Sequence, residues 1–351
     1  MKPLNLLFTS AGRRSYLIKY FKEALDGQGK VYAANSSALS SALEVADEGV
    51  VTPIIYSDEY IPFLLNFCKE HHIDALMSLF DVDLPVLAAN KEHFEEIGTK
   101  VIVSDPEVID ICNDKWKSFC FIRDNGFSAI PTYLQLDEAL SALERSEIRY
   151  PLIIKPRWGM GSIAVYEAEN EEELRVFYNK ARNDVFASYL KYESAMDVDN
   201  SILIQQKIEG QEYGMDNICD LSGNYITTII RKKIAMRSGE TDCAEVVDDP
   251  QLRKTAERLA KLTKHVGNMD MDVIVSQNTY YILEMNARFG GGYPFSHIAG
   301  VNLPEAMIRW LRNQPVDPAV FCPTYGVVAQ KDLGMIALHP RRFSREDGEG
   351  C

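Results

Sequence analysis

Tyr280-Tyr281-Ile282-Leu283-Glu284-Met285-Asn286-Ala287-Arg288-Phe289 runs straight into Gly290-Gly291-Gly292. Tyr280 to Leu283 is bulky and β-prone, so the segment opens as a buried strand. Polar residues then come at alternate positions, and side chains two apart in extended chain share a face. One face therefore carries the Glu284 carboxylate, the Asn286 amide and the Arg288 guanidinium. Carboxylate and amide oxygens suit Mg²⁺, which takes a few protein oxygens besides phosphate, and an arginine beside it would meet an anion. The plainer alternative is a strand end whose polar groups are simply solvated. Upstream, Met269 to Val275 reads as a second strand, and Ser276-Gln277-Asn278-Thr279 as a hairpin turn. Pairing across that turn sets Asp272 beside Glu284 and Asn286, a donor set for two Mg²⁺ ions bridged by phosphates.

Around this hairpin, 351 residues provide for two or three domains or subdomains. Hydrophobic residues make up 46% and charged residues 25%, the balance of an ordinary soluble globular protein. The net charge of −14, with no lysine- or arginine-rich run, argues against nucleic acid or an anionic membrane as partner. Seven scattered cysteines without a Cys-x-x-Cys indicate reduced thiols rather than disulfides or a zinc site. No apolar run is long enough to span a bilayer, and the expected location is the cytoplasm.

From Leu4 to about residue 105, short apolar strands alternate with amphipathic helices, which predicts a doubly wound parallel sheet. Thr9-Ser10-Ala11-Gly12 sits where a phosphate loop would, but there is neither G-x-G-x-x-G nor G-K-[ST]. Asp105-Pro106 and Asn113-Asp114-Lys115 open helices, Asp137 caps another, and Asn170 caps a helix running through Asn179. The strand Tyr150 to Pro156 leads to a glycine loop, and a further strand is expected from Ile163. From Ile202 the chain turns strand-rich, and a last helix covers Leu303 to Leu311. The divisions expected are 1–110, 111–200, 201–320 and a C-terminal extension 321–351 whose end frays. The class is α/β, becoming α+β in the C-terminal part.

Gly159-Met160-Gly161-Ser162 joins two strands and can present backbone N–H groups to phosphate, with Ser162 adding a hydroxyl; a plain hairpin turn is the simpler reading. Lys155 ends an apolar strand four residues earlier, where a buried ammonium needs an anion such as an ATP phosphate. Arg231, Lys232, Lys233 and Arg237 cluster around the end of a strand, either as a solvated sheet edge or, through Arg231 or Arg237, as a grip on phosphate or an acceptor carboxylate.

DVIVSQNTYYILEMNARFGGG (272–292) closely resembles the metal-binding hairpin of ATP-grasp enzymes, especially the carbamoyl-phosphate synthase large subunit and its short relatives. IIKPRWGMGSIAV (153–165) resembles the family's second ATP lysine and glycine-rich lid, with Arg157-Trp158 in place of the usual small residues. NDKWKSF (113–119) places Lys115 at the first ATP lysine. ILIQQKIEGQEYGMD (202–216) resembles the hinge whose backbone reads adenine through Gln206, Lys207 and Ile208, with Glu212 on the ribose and Gln206, where a glutamate is frequent, offering its amide to the adenine amino group. DALMSLFDVDLPVLA (74–88) resembles the pre-ATP-grasp domain. The resemblance implies a doubly wound pre-ATP-grasp domain followed by a two-lobed ATP-grasp domain. It implies ATP and Mg²⁺ (or Mn²⁺) as cofactors, with small-molecule carboxylate and amine substrates. Lys115, Lys155, Gly159, Gly161 and Ser162 would hold phosphates; Asp272, Glu284 and Asn286 the metal; Arg288, Arg231 and Lys155 would act on the transferring group. A single such module argues against full carbamoyl-phosphate synthesis. A non-catalytic nucleotide-binding protein of the same fold is the alternative, and a homodimer remains open.

Overall fold

The computed structural model describes residues 2–343. Its N-terminal layer is a parallel sheet built from β1 (Leu6–Thr9), β2 (Val31–Asn35), β3 (Glu48–Val51), β4 (Ala75–Ser78) and β5 (Lys100–Val101), in the order β3-β2-β1-β4-β5. The helices are α1 (Ser15–Leu25), α2 (Ser41–Val45), α3 (Tyr60–Glu70), α4 (Asp83–Ala89) and α5 (Lys91–Glu96). Helices on both faces explain why β1 and β4 are buried at every residue and read as continuous apolar runs. Helix α1 turns Leu17, Ile18, Phe21 and Leu25 to the core, the stripe its spacing predicts. Strand order reverses between β1 and β4, and Asp81 lies in the crevice just past β4, where such folds bind ligands. The strand expected to run to Ser104 ends at Val101, while α2, β3 and α5 are too short to leave a readable period.

A smaller unit follows. Its helices are α6 (Pro106–Asn113), α7 (Lys115–Asp124), α8 (Leu136–Glu144), α9 (Glu171–Phe186) and α10 (Lys191–Ser194). Its strands are β6 (Thr132–Tyr133), β7 (Leu152–Pro156), β8 (Tyr166–Ala168) and β9 (Ile202–Gln206), forming an antiparallel sheet β6-β9-β7-β8. Since β9 lies inside this sheet, the expected division at 200/201 falls just before one of its central strands. Asp105 precedes α6 but makes no side-chain cap, whereas Asp114 and Asn170 cap α7 and α9 as expected. Asp137 lies inside the first turn of α8, and the strand expected from Ile163 starts at Tyr166 because residues 161–164 form turns.

The third layer is a six-stranded antiparallel sheet in the order β14-β13-β10-β11-β12-β15. It comprises β10 (Gln211–Cys219), β11 (Tyr225–Arg237), β12 (Glu240–Val247), β13 (Asn268–Ser276), β14 (Thr279–Asn286) and β15 (Val328–Gln330), with α11 (Pro250–Thr263), α12 (Tyr293–Ile298) and α13 (Leu303–Leu311). Strand β11 is internal, so the solvated-edge reading of Arg231 and Lys233 is corrected: Arg231 is 2% exposed. Gln277 and Asn278 both take positive φ in the β13–β14 turn, the conformation that matches strand twist in a two-residue hairpin. Strand β15, in the C-terminal extension, pairs with β12, and Phe343 is buried in the core beneath the N-terminal sheet. Residues 344–351, with Cys351 and most of the tail expected to fray, lie outside the described residues.

Candidate functional site

The β13–β14 hairpin divides its side chains between core and cleft. Met269, Met271, Val273, Ile282 and Met285 are buried in one apolar cluster with Leu252, Ala256 and Leu259 of α11. Asp272 pairs with Glu284 and Asp270 with Asn286 across the ladder. Under strict alternation Ile282 and Glu284 would share a face, yet Ile282 is in the core and Glu284 in the cleft. The register shifts between Asp272 and Val273, so Leu283 is the extra residue of a bulge that re-aims Glu284. Strand β14 ends at Asn286, and Arg288 is carried on a bend rather than on extended chain.

A cavity of about 380 Å³ lies between the four- and six-stranded sheets, lined among others by Lys115, Lys155, Gly159, Gly161, Ser162, Gln206, Lys207, Ile208, Glu212, Asp272 and Glu284. Lys115 Nζ is 3.1 Å from Glu284 Oε1 and donates to the Gly159 carbonyl. Lys155, at the end of β7, donates to Gln205 Oε1 at 2.8 Å. Burial and the neighbouring Lys115 charge push the Lys155 pKa down to about 8. Burial opposes charge on Glu284, but Lys115 and Lys155 outweigh it and hold this carboxyl below its usual range. Two ammonium groups thus converge where one carboxylate cannot neutralise both.

Asp114 ties the start of α7, which Lys115 opens, to Arg157 just past β7. It caps α7 by accepting from the Trp116 and Lys117 amides, and it takes two hydrogen bonds of 2.8 Å from Arg157. The Arg157 guanidinium lies 4.3 Å from the Trp158 ring centre. Arg157 thus ties the chain entering the glycine loop to the start of the helix bearing Lys115, with Trp158 beside its guanidinium. Gly161 and Ser162 both take positive φ, and a Cβ on Gly239 would stand 2.6 Å from Ser162 Oγ, so the β11–β12 turn closes against this loop.

Other expected residues are placed less directly. The Gln206 amide is engaged with the 149–151 backbone: its Oε1 accepts from Arg149 N at 2.8 Å, and its Nε2 donates to Arg149 O at 2.9 Å. Lys207 pairs with Glu167. Glu212 stands at the cavity rim, 3.4 Å from Lys233 Nζ.

A second cavity of about 320 Å³ adjoins the first across Asp272, Glu284 and Lys233, and is further lined by Arg14, Asp81, Arg231, Asp270, Asn286 and Arg288. Arg288 donates through Nε and Nη2 to Asp81 Oδ2 at 3.0 and 2.6 Å, with Asp270 Oδ2 3.7 Å away. Burial disfavours its charge, but Asp81 and Asp270 win and its pKa is raised. Arg231 is held by Asp216, by Ser296 Oγ at 2.8 Å and by Asp270 at 3.3 Å. Gly290 is required by close approach: a Cβ there would fall 2.0 Å from the Asp270 carboxyl carbon. The glycines therefore admit protein side chains as well as open space.

The cavities also take in Asp270, Asp81, Arg14 and Gln205, which no motif marked, and Lys233, expected only as part of a cationic cluster. Asp270 could have been found, since it shares a strand face with Asp272. Lys233 Nζ is 2.8 Å from Asp272, and burial, opposed by Asp272 and Glu212, leaves its pKa raised. Burial and then Asp272 push Asp270 up to about 6; burial, with Glu284 and Glu212, also raises Asp272 against the pull of Lys233. These carboxylates crowd one another, and a divalent cation would relieve that. Among the described residues no group of three or more His, Cys, Asp or Glu is set to hold a metal alone.

Residues 112–292, just over half of the chain, match the family described as the ATP-grasp domain, and residues 6–102 match a PylC-like N-terminal domain. The carbamoyl phosphate synthase large chain of Pseudothermotoga lettingae is 23% identical over 286 residues, 78% of this chain and 24% of that protein. The chain thus spans about a quarter of the length of the curated relatives first matched. Among solved structures, the biotin carboxylase domain of 2-oxoglutarate carboxylase from Hydrogenobacter thermophilus, in complex with MgADP, superposes with TM-score 0.68 at 20% identity, covering 90% of this chain and 71% of that one. The L-amino acid ligase of Bacillus licheniformis gives 0.67 at 19% identity, covering 89% and 76%.

Proposed function

The chain belongs to the ATP-grasp family, and on that footing we propose that it is an ADP-forming ligase joining a small carboxylate to an amine. The carboxylate would attack the γ-phosphorus of ATP to give an acyl phosphate and ADP; the amine would attack the acyl carbon and release phosphate. The observation that carries this reading is the convergence of Lys115, Lys155, Asp272 and Glu284 on one cavity that opens into a second, arginine-lined one.

In this reading Lys115 and Lys155 bind the phosphates, and the N–H groups of the Gly159–Ser162 loop fold over them and exclude water that would hydrolyse the acyl phosphate. The backbone of Gln206, Lys207 and Ile208 faces adenine, while the Gln206 side chain braces that segment. Glu212 takes the ribose hydroxyls. Asp272, Glu284 and Asn286 would hold Mg²⁺, or Mn²⁺ in its place, with Lys233 as the counter-charge that Asp272 must release. When bound, the metal neutralises charge building on the phosphates. Arg288 faces the transferring group and the carboxylate, and Arg231 acts through Asp270, which it keeps in position.

The test is ADP release by the purified protein with pools of carboxylates and amines, with hydroxylamine present to trap acyl phosphate. Mg²⁺-dependent ADP release that requires the carboxylate pool, with hydroxamate formed, is the expected outcome. Nucleotide binding without ADP release across the pools would point instead to a non-catalytic ATP-binding protein.

A further inference from the structure

The turn after β1, Thr9-Ser10-Ala11-Gly12, stands where a phosphate loop would, but two of its amides are engaged within the protein. Ala11 N donates to Ala34 O and Gly12 N to Asn35 Oδ1, both at 3.2 Å. What the turn delivers instead is Arg14, which precedes α1 and donates from its own amide to Ala11 O at 3.0 Å. Strand order reverses between β1 and β4, and ligands of such sheets bind beyond the strand ends at that point. Arg14 beyond β1 and Asp81 beyond β4 both border the second cavity.

Arg14 Nη1 donates to the Phe289 carbonyl at 2.5 Å, and Arg288 Nη1 donates to the same oxygen at 3.2 Å. Two guanidinium groups thus meet at one carbonyl, but their counter-charges are unequal. Arg288 has Asp81 and Asp270. The other charged groups on the cavity wall are paired as well: Arg231 with Asp216 and Asp270, Lys233 with Asp272, Glu284 with Lys115, and Glu240 with Lys331. Arg14 has no ion pair among the described residues. Burial and then Arg288 work against its charge, and Asp81 and Asp270, engaged with the other arginines, offset this only in part. Its Nε and Nη2 make no hydrogen bond among the described residues, yet they are not sealed from solvent. These two donors share one edge of the guanidinium, the fork that takes both oxygens of a carboxylate.

We propose that Arg14 determines specificity by binding a second, non-reacting carboxylate of the substrate, so that the second cavity takes a short dicarboxylate. The assignment rests on the ligase reading and names the substrate class within it. One carboxylate lies at the Glu284–Arg288 end, toward the transferring phosphoryl group, and the other on the free edge of Arg14. Because both arginines meet at the Phe289 carbonyl, the two anionic groups stand only a few bonds apart, as in succinate or glutarate. A monocarboxylate would leave the Arg14 charge without a counter-ion, and that difference is the source of the selectivity.

Calorimetry on the full chain loaded with Mg-ADP tests this without turnover. The probes are succinate and glutarate, each against its monoamide, succinamate or glutaramate, which keeps the size but replaces one carboxylate with a neutral amide. At least one diacid should bind at least about tenfold tighter than its monoamide, the scale of one charge-assisted hydrogen-bonded pair. Arg14→Met should erase that preference, and Arg14→Lys, which keeps the charge without the fork, should retain only part of it. Mg-ADP binding by the same variants shows that they are folded. Equal binding of diacid and monoamide, or a preference that survives Arg14→Met, overturns the assignment. Should Arg14→Met fail to bind Mg-ADP, Arg14→Lys carries the test, and a diacid preference equal to that of the wild type overturns the assignment. If no probe binds the wild type while Mg-ADP does, the assignment fails and the ligase reading stands; if Mg-ADP itself does not bind, that reading fails and the assignment with it.

Discussion

Lys155 shows how one side chain couples burial to ligand binding. Its pKa falls to about 8 because desolvation and then Lys115 disfavour the ammonium, with Glu284 opposing only in part. A bound polyphosphate favours the charged form, so the pKa in the complex lies above 8 and binding takes up a proton at higher pH. ADP affinity should therefore be flat below about pH 8 and fall by up to about tenfold per unit above it. Lys155→Arg, which stays charged, should remove that inflection. Calorimetric titration between pH 7 and 9.5 checks this; a wild-type affinity that stays flat throughout would take Lys155 off the phosphates. Residue-scale signals of this kind were legible, since a lysine closing an apolar strand needs an anion. Gln206 was not, because its amide is used by a backbone segment 57 residues away.

At the scale of elements, α7 and the glycine loop act as one piece through Asp114. This carboxylate is 1% exposed, caps the helix and receives the Arg157 fork. Losing a cap costs about 0.5–2 kcal/mol, and orphaning a buried partner about 3–5 kcal/mol. Asp197 retains one bond to Arg157 at 3.1 Å and limits the loss. Asp114→Ala should lower unfolding free energy by roughly 3 kcal/mol in urea titrations and weaken ADP binding through the displaced Lys115. Asp114→Asn keeps the cap and should lose less. A loss under about 1 kcal/mol for the alanine variant would show that loop and helix are held independently. The hairpin at 268–286 was readable from its alternation and turn, but its bulge was not. One extra residue, Leu283, depends on which side chains the core accepts.

Across the whole molecule, the Arg288–Asp81 pair spans 207 residues of sequence and ties the large sheet to the crevice of the N-terminal sheet. Replacing the planar fork with one ammonium leaves Asp81 with poorer neutralisation and the proposed acyl-transfer site without its bidentate grip. Arg288→Lys should keep near-normal ATP affinity while kcat falls by about two to three orders of magnitude. Its melting temperature should also drop, since the pair is an inter-layer contact. Steady-state kinetics and thermal unfolding read the two effects separately. A wild-type rate in Arg288→Lys would leave the arginine a structural tie alone.

Much of the protein was written locally. The strand–helix alternation that builds the parallel sheet, the caps at Asp114 and Asn170, and the motif order from Lys115 to Arg288 all follow from short-range chemistry. Periods of two and 3.6, turn residues and capping groups act over a few residues, so the sequence alone determined these features and the family resemblance. What only the tertiary structure decided is which distant groups meet. Arg231 became a buried counter-charge because β11 is flanked on both sides. Asp81 acquired Arg288, and Trp158 came to wall a cavity with residues from the N-terminal crevice. Burial and pairing between charges depend on three-dimensional distance, and a linear pattern carries no record of that distance.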